Sequence, residues 1–201
     1  MNKKCLIGLT GGIGTGKTTV SNYLATTYQL PVLDADVYAR EAVELGSPIL
    51  DKLFKHYGAE IRLPDGSLNR RRLGEIVFSN PEQKQWLEQQ IHPYVRDRFR
   101  AELTTLTDST VVLVIPLLFE AGLTNLVTEI WVVSCSAQQQ LRRIRERNNL
   151  SPEQAQARIN SQLPLAEKVA RADVVLDNSS TLDVLLRQVD AAINLALAYV
   201  K

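Results

Sequence analysis

Short, uninterrupted apolar runs alternate along this chain with longer stretches whose apolar residues recur every three or four positions. The runs are Leu6-Ile7-Gly8-Leu9-Thr10, Pro31-Val32-Leu33, Val111 to Ile115, Ile130 to Val133, and Val174-Val175-Leu176. None alternates apolar with polar residues, the pattern of strands covered by helices on both faces. Strands separated by helical stretches predict an α/β fold, a five-stranded parallel sheet built from β-α-β units.

The helical stretches have recognisable ends. A helix is expected from Lys17, with Val20, Leu24 and Tyr28 on one face. Ser136 with Gln139, and Ser151 with Pro152 and Gln154, are capping-box starts, predicting two helices with a break at Asn148-Asn149-Leu150. Leu182, Leu185, Leu186, Val189, Ile193 and Leu197 form the apolar face of a last helix. The stretch between the second and third strands is too long for one crossover. There Ile91, Val95, Phe99, Leu103 and Leu106 make a buried stripe, and Arg96, Arg98 and Arg100 read as a solvated face. Residues 58–108 are therefore expected as a helical insert. The core takes residues 1–57, 109–135 and 172–201, and 136–171 forms a helical lid.

Composition narrows the class. The 201 residues are 45% apolar and 22% charged, as in ordinary globular chains. Lys and Arg number 23 against 22 Asp and Glu, which argues against a nucleic-acid partner. The run Val111 to Phe119 is too short to cross a bilayer, and no export signal is evident. A cytoplasmic protein with no membrane partner is expected, with Cys5 and Cys135 as reduced core thiols.

The chemistry begins where the first strand ends. Gly11-x-x-x-x-Gly16-Lys17-Thr18 fits the phosphate-loop pattern G-x-x-x-x-G-K-[ST]. Glycines let the backbone curl until successive N–H groups converge on one anion, and the following helix adds its positive dipole end. Gly12, Ile13, Gly14, Thr15, Gly16, Lys17, Thr18 and Thr19 are the expected ATP-phosphate contacts. Lys17 would neutralise the β- and γ-phosphates, and the Thr18 hydroxyl is the expected Mg²⁺ ligand. A dinucleotide fingerprint starting at Gly12-x-Gly14 fails, because its third glycine would fall on Lys17.

Other residues separate kinases from other phosphate-loop proteins. No N-K-x-D guanine signature occurs, and the strand Val111 to Ile115 runs into Pro116 where a Walker-B acid would stand. Asp34-Ala35-Asp36 closes the second strand at the edge where an open sheet binds ligands. Such carboxylates can take a hydroxyl proton, hold Mg²⁺ through water, or cap the next helix. Arg143 and Arg147 share one helix face and suit a lid closing over the transferring phosphate. A small phosphotransferase follows, with a nucleoside or nucleotide kinase and a non-catalytic nucleotide switch as alternatives.

Along nearly its whole length the sequence resembles the bacterial dephospho-CoA kinases. The likeness rests on Ile7 to Thr18, Asp34-Ala35-Asp36-Val37 with Ala39-Arg40, and Gly66-Ser67-Leu68-Asn69-Arg70. It continues through His92-Pro93, Pro116-Leu117-Leu118-Phe119-Glu120, Gln162-Leu163-Pro164 and Ala172 to Asn178. It implies a P-loop kinase-type fold with a helical acceptor-binding insert and a lid. It implies transfer of the ATP γ-phosphate to the 3′-hydroxyl of dephospho-coenzyme A. By the resemblance Asp36 is the base, and Arg143 or Arg147 reaches the phosphates. Asp34, Arg40, His92, Pro116, Leu117 and Leu118 lie on the acceptor side, and Asn178 lies near the adenine. Thr15 and Thr18 stand where serine is common, and Asn69 where aspartate is common. A monomer or weak oligomer is expected.

Overall fold

The computed structural model describes residues 4–199, without the side chains of Phe78, Ser79 and Tyr199. The chain divides into two compact units, one of residues 1–34 and 107–201, the other Ala35–Leu106.

The first unit holds the sheet: β1 (Cys5–Gly11), β2 (Val32–Asp34), β3 (Thr110–Val114), β4 (Glu129–Ser134) and β5 (Val174–Asp177). Every pairing is parallel, and the order is β2-β3-β1-β4-β5. The run at Val111 to Ile115 becomes a strand buried along its whole length, as its lack of polar alternation requires. Helices α1 (Lys17–Thr27) and α9 (Leu182–Tyr199) cover the sheet. Val20 and Leu24, with Leu185, Val189 and Ile193, share one apolar core with Ile7, Leu9, Val112, Trp131 and Leu176. At its edge the hydroxyls of Tyr23 and Tyr28 both donate to Asp190 Oδ1, each at 2.8 Å. Burial and that carboxylate push the Tyr28 phenol up to about 12.

The second unit carries α2 (Ala35–Glu41), α3 (Pro48–Tyr57), α4 (Arg70–Ser79) and α5 (Pro81–Thr105). It begins at Ala35, so it includes residues 35–57, which the sequence pattern assigns to the core. Packing explains the boundary: Ala42, Val43, Leu50 and Leu53 are buried in one cluster with Ile61, Leu68 and Leu73. Of the predicted stripe on α5, Val95 and Phe99 are buried. Pro93 lies inside this helix, where a break is the usual reading of a proline. Arg98 departs from the expected solvated face. Its side chain lies over the Tyr38 ring and pairs with Glu41 at 3.2 Å and Glu102 at 2.9 Å. Asn69 finds a role as the cap of α4, accepting the Arg72 N–H at 3.0 Å.

Beyond β4 the chain forms α6 (Ala137–Asn148), α7 (Pro152–Asn160) and α8 (Leu165–Ala170). Both predicted capping boxes form, at Ser136 with Gln139 and Ser151 with Gln154. Asn149, in the left-handed region at φ 49°, ends α6. This segment clusters with the sheet unit.

Candidate active site

β1 is the middle strand, and its carboxyl end opens into the loop that leads to α1. The chain winds from β1 to β2 and β3 on one side of it, then crosses to β4 and β5 on the other. Ligands bind at such a switch point, outside the carboxyl ends of the strands.

Two loop positions admit only glycine. Gly11 sits at φ +145°, where a Cβ would strike the Val133 carbonyl oxygen, and Gly16 at φ +109°, where it would strike Asn178 Nδ2. Gly16 opens α1 with no side chain capping the helix, so the positive dipole end faces outward. Gly16→Ala is expected to weaken binding of ATP at least tenfold, since strain and collision both oppose the loop's curl. Calorimetric titration measures the loss, with circular dichroism showing that the sheet survives.

The remaining loop contacts are polar. Thr15 is fully buried, and its hydroxyl donates to the Gly12 carbonyl at 2.9 Å. Lys17 Nζ donates to the carbonyls of Gly11 (3.0 Å) and Gly12 (2.9 Å), holding a full positive charge over the loop. Thr18 and Thr19 are exposed in the first turn of α1, and the Thr19 N–H already donates to Gly16 O at 3.0 Å. Ile13 is gripped on both sides: its N–H by Gln162 Oε1 at 2.9 Å and its carbonyl by Gln140 Nε2 at 2.8 Å.

Asn178 and Arg143 join this loop. Asn178 Nδ2 donates to Thr15 O at 2.8 Å, and Arg143 Nη2 donates to Asn178 O at 3.1 Å. Arg143 Nη1 is buried with no hydrogen-bond partner among the described residues. An unpaired buried guanidinium nitrogen is costly and marks a place where an acceptor fits. Arg147, one turn further along α6, is exposed, and its Nε donates to Asn148 Oδ1 at 3.1 Å. The arrangement ties Arg143 to the loop through Asn178. Asp34 ends β2 on the same sheet edge.

The proline segment after β3 is built into the interior. The Pro116 carbonyl accepts from Thr10 Oγ1 at 3.2 Å and from Lys168 Nζ at 3.1 Å. Leu117 is half-buried. Leu118 is fully buried. Lys168, also fully buried, pairs with Glu120 at 2.8 Å, and Glu120 Oε1 accepts the Leu163 N–H at 2.9 Å. Burial pushes the Glu120 carboxyl up, but the bonds from Lys168 and Leu163 outweigh it and hold it below the ordinary value. The stabilisation is present above the ordinary value of 4.5 and is lost as pH falls through the lower folded value. The wild-type melting temperature should therefore fall more steeply than that of Glu120→Gln on going from about pH 6 to about pH 3.

The other candidates stand on the helical unit. Asp36 is exposed in the first turn of α2, and Arg40 in its last turn accepts Arg70 Nη2 on its carbonyl at 3.3 Å. His92 is half-buried on α5. Burial lowers its pKa, Glu88 opposes the shift and Arg96 adds to it. Gln140, Lys168 and the role of Gln162 escape sequence reading. Gln140 looks like an ordinary helix residue, and only the Gln162-Leu163-Pro164 motif signals its partner.

A loop of this kind, joining the central strand of a parallel sheet to a helix that opens on lysine and threonine, defines a P-loop nucleotide-binding protein. A family model described as Dephospho-CoA kinase matches residues 5–183. A Nostoc protein named dephospho-CoA kinase is 66% identical over 192 residues, covering 96% of this chain and 98% of that one. A crystal structure from Thermus thermophilus aligns at TM-score 0.81 with 38% identity, over 96% of this chain and 97% of the other. Dephospho-CoA kinase from Campylobacter jejuni aligns at TM-score 0.69 with 28% identity, over 94% and 95%. The chain belongs to the dephospho-CoA kinase family.

Proposed function

We propose that this chain transfers the γ-phosphate of ATP to the ribose 3′-hydroxyl of dephospho-coenzyme A. The observation that carries the donor half is the loop itself: left-handed glycines at Gly11, Gly14 and Gly16, an uncapped helix end, and the Lys17 ammonium over it. The likeness to the family, extending over almost the whole chain, carries the acceptor half.

In this reading the loop N–H groups and Lys17 bind the β- and γ-phosphates and neutralise charge that builds up in transfer. Arg143 offers its unpaired Nη1 to nucleotide oxygen, and Asn178 holds both the loop and Arg143 in register. Asp36 takes the proton of the attacking hydroxyl, and Asp34, Arg40, His92, Pro116 and Leu117 serve the acceptor. The segment 136–171 closes as a lid and excludes water, which would otherwise take the phosphoryl group. The exposed Thr18 hydroxyl suits Mg²⁺, which takes few protein oxygens and completes its shell with phosphate and water. The metal supplies charge neutralisation on the phosphate oxygens.

A cytoplasmic setting fits the two free cysteines, Cys5 and Cys135. Among the described residues no helix is long and apolar enough to cross a membrane.

The test is an acceptor panel. With Mg-ATP and equal concentrations of dephospho-CoA, adenosine and a nucleoside monophosphate, dephospho-CoA should give the highest kcat/KM. Preference for either of the others would replace this acceptor.

A further inference from the structure

Hydrogen bonds leave β1 at Thr10 and return to the phosphate loop three residues later. The Thr10 hydroxyl donates to the Pro116 carbonyl at 3.2 Å, and that carbonyl also receives Lys168 Nζ at 3.1 Å. Lys168 Nζ pairs with Glu120 at 2.8 Å, and the same carboxylate oxygen takes the Leu163 N–H at 2.9 Å. The neighbouring residue, Gln162, accepts the Ile13 N–H on Oε1 at 2.9 Å. From the other side Gln140, 4% exposed, donates to the Ile13 carbonyl at 2.8 Å.

Both halves of the Ile13 residue are thus held by side chains. α6 also leaves little room above the loop. A Cβ on Gly12 would meet Gln140 Nε2 at 2.5 Å, and one on Gly14 would meet Ile144 Cγ1 at 2.9 Å. A loop that binds phosphate by its N–H groups works best when those groups already converge before the anion arrives. A glycine-rich segment has little stiffness of its own, so the constraint must come from outside it. Gln162 supplies it at Ile13, and the ion pair between the buried Lys168 and the solvent-accessible Glu120 fixes the turn that carries Gln162. A fully buried lysine is hard to explain as a source of stability, since desolvation offsets most of what an ion pair gains. Its use here is to fix geometry.

We propose that Gln162 is a positioning residue for the phosphate donor, holding the loop through the Ile13 N–H, and that Glu120 and Lys168 act on the loop through it. The proposal rests on the P-loop reading, which fails separately: a wild-type chain that does not bind ATP would overturn that reading before any variant is made.

Steady-state kinetics on the full chain, varying ATP and dephospho-CoA in turn, test it. Gln162→Met removes the acceptor from a half-buried side chain and should leave the fold intact. The expected result is a rise of about tenfold in KM for ATP, with KM for dephospho-CoA within about twofold of wild type. Glu120→Gln, which touches no loop atom, should raise KM for ATP in the same direction. The double variant should be no worse than Gln162→Met by more than about twofold, because the two residues act along one path. An unchanged KM for ATP in Gln162→Met overturns the proposal. So does a parallel rise in both KM values, which would mean a general structural loss, or a double variant whose effect is the product of the singles. Should Glu120→Gln fail to fold, Gln162→Met decides alone.

Discussion

Lys17→Ala is expected to lower kcat/KM for ATP by about a thousandfold, while far-ultraviolet circular dichroism stays that of wild type. The magnitude follows from what the ammonium does. It is held over the loop by the carbonyls of Gly11 and Gly12, at the end of a helix whose dipole is not neutralised by any side-chain cap. Removing one preorganised positive donor from the place where charge develops costs roughly two to three powers of ten in rate. A full charge belongs at the upper end of that range. Lys17→Arg should rescue little, because a planar fork cannot replace a compact ammonium inside a curled loop. A loss below about tenfold in Lys17→Ala would mean that phosphate charge is met elsewhere.

Asp36→Asn is expected to reduce kcat by two to four powers of ten, roughly the contribution of a positioned general base. ATP binding, measured by calorimetry, should stay within a few-fold of wild type, since the phosphate loop is untouched. Asp36 stands in the first turn of α2, where a carboxylate also favours the helix dipole. That electrostatic role is worth at most about 1 kcal/mol at an exposed site, and it would appear as a small drop in melting temperature. The two roles therefore separate: a mere helix-stabilising aspartate would change the melting temperature and leave kcat alone.

The parts of this molecule that the sequence makes readable are those written in neighbouring residues. Five apolar runs without alternation became five parallel strands; β3 is buried along its whole length, while at the edge strand β5 Val175 is exposed. The glycine loop could be read because curling demands glycine at Gly11 and Gly16 locally. The capping boxes at Ser136 and Ser151 close within four residues and need no distant partner.

What stayed hidden depends on contacts far apart in the chain. Ile13 and Gln162 are 149 residues apart, and Lys168 and Pro116 are 52 apart. Nothing in the periodicity of α8 shows that its lysine points inward to meet Glu120. The boundary at Ala35 follows from Ala42 and Val43 packing against Leu68 and Leu73, a preference for partners that a hydrophobic pattern cannot express. Arg98 reads as a surface charge until Tyr38, Glu41 and Glu102 surround it.

The proposed activity requires that one curled segment hold the triphosphate while the Asp36 carboxylate prepares a sugar hydroxyl. A crystal structure with a nonhydrolysable ATP analogue and dephospho-CoA tests it most directly. The account predicts β- and γ-phosphate oxygens on the N–H groups of Gly14 to Thr18, the Ile13 N–H still on Gln162, Lys17 swung from its carbonyls onto the phosphates, and the ribose 3′-hydroxyl hydrogen-bonded to Asp36. Phosphates bound away from that loop, or a 3′-hydroxyl facing some other group, would contradict it.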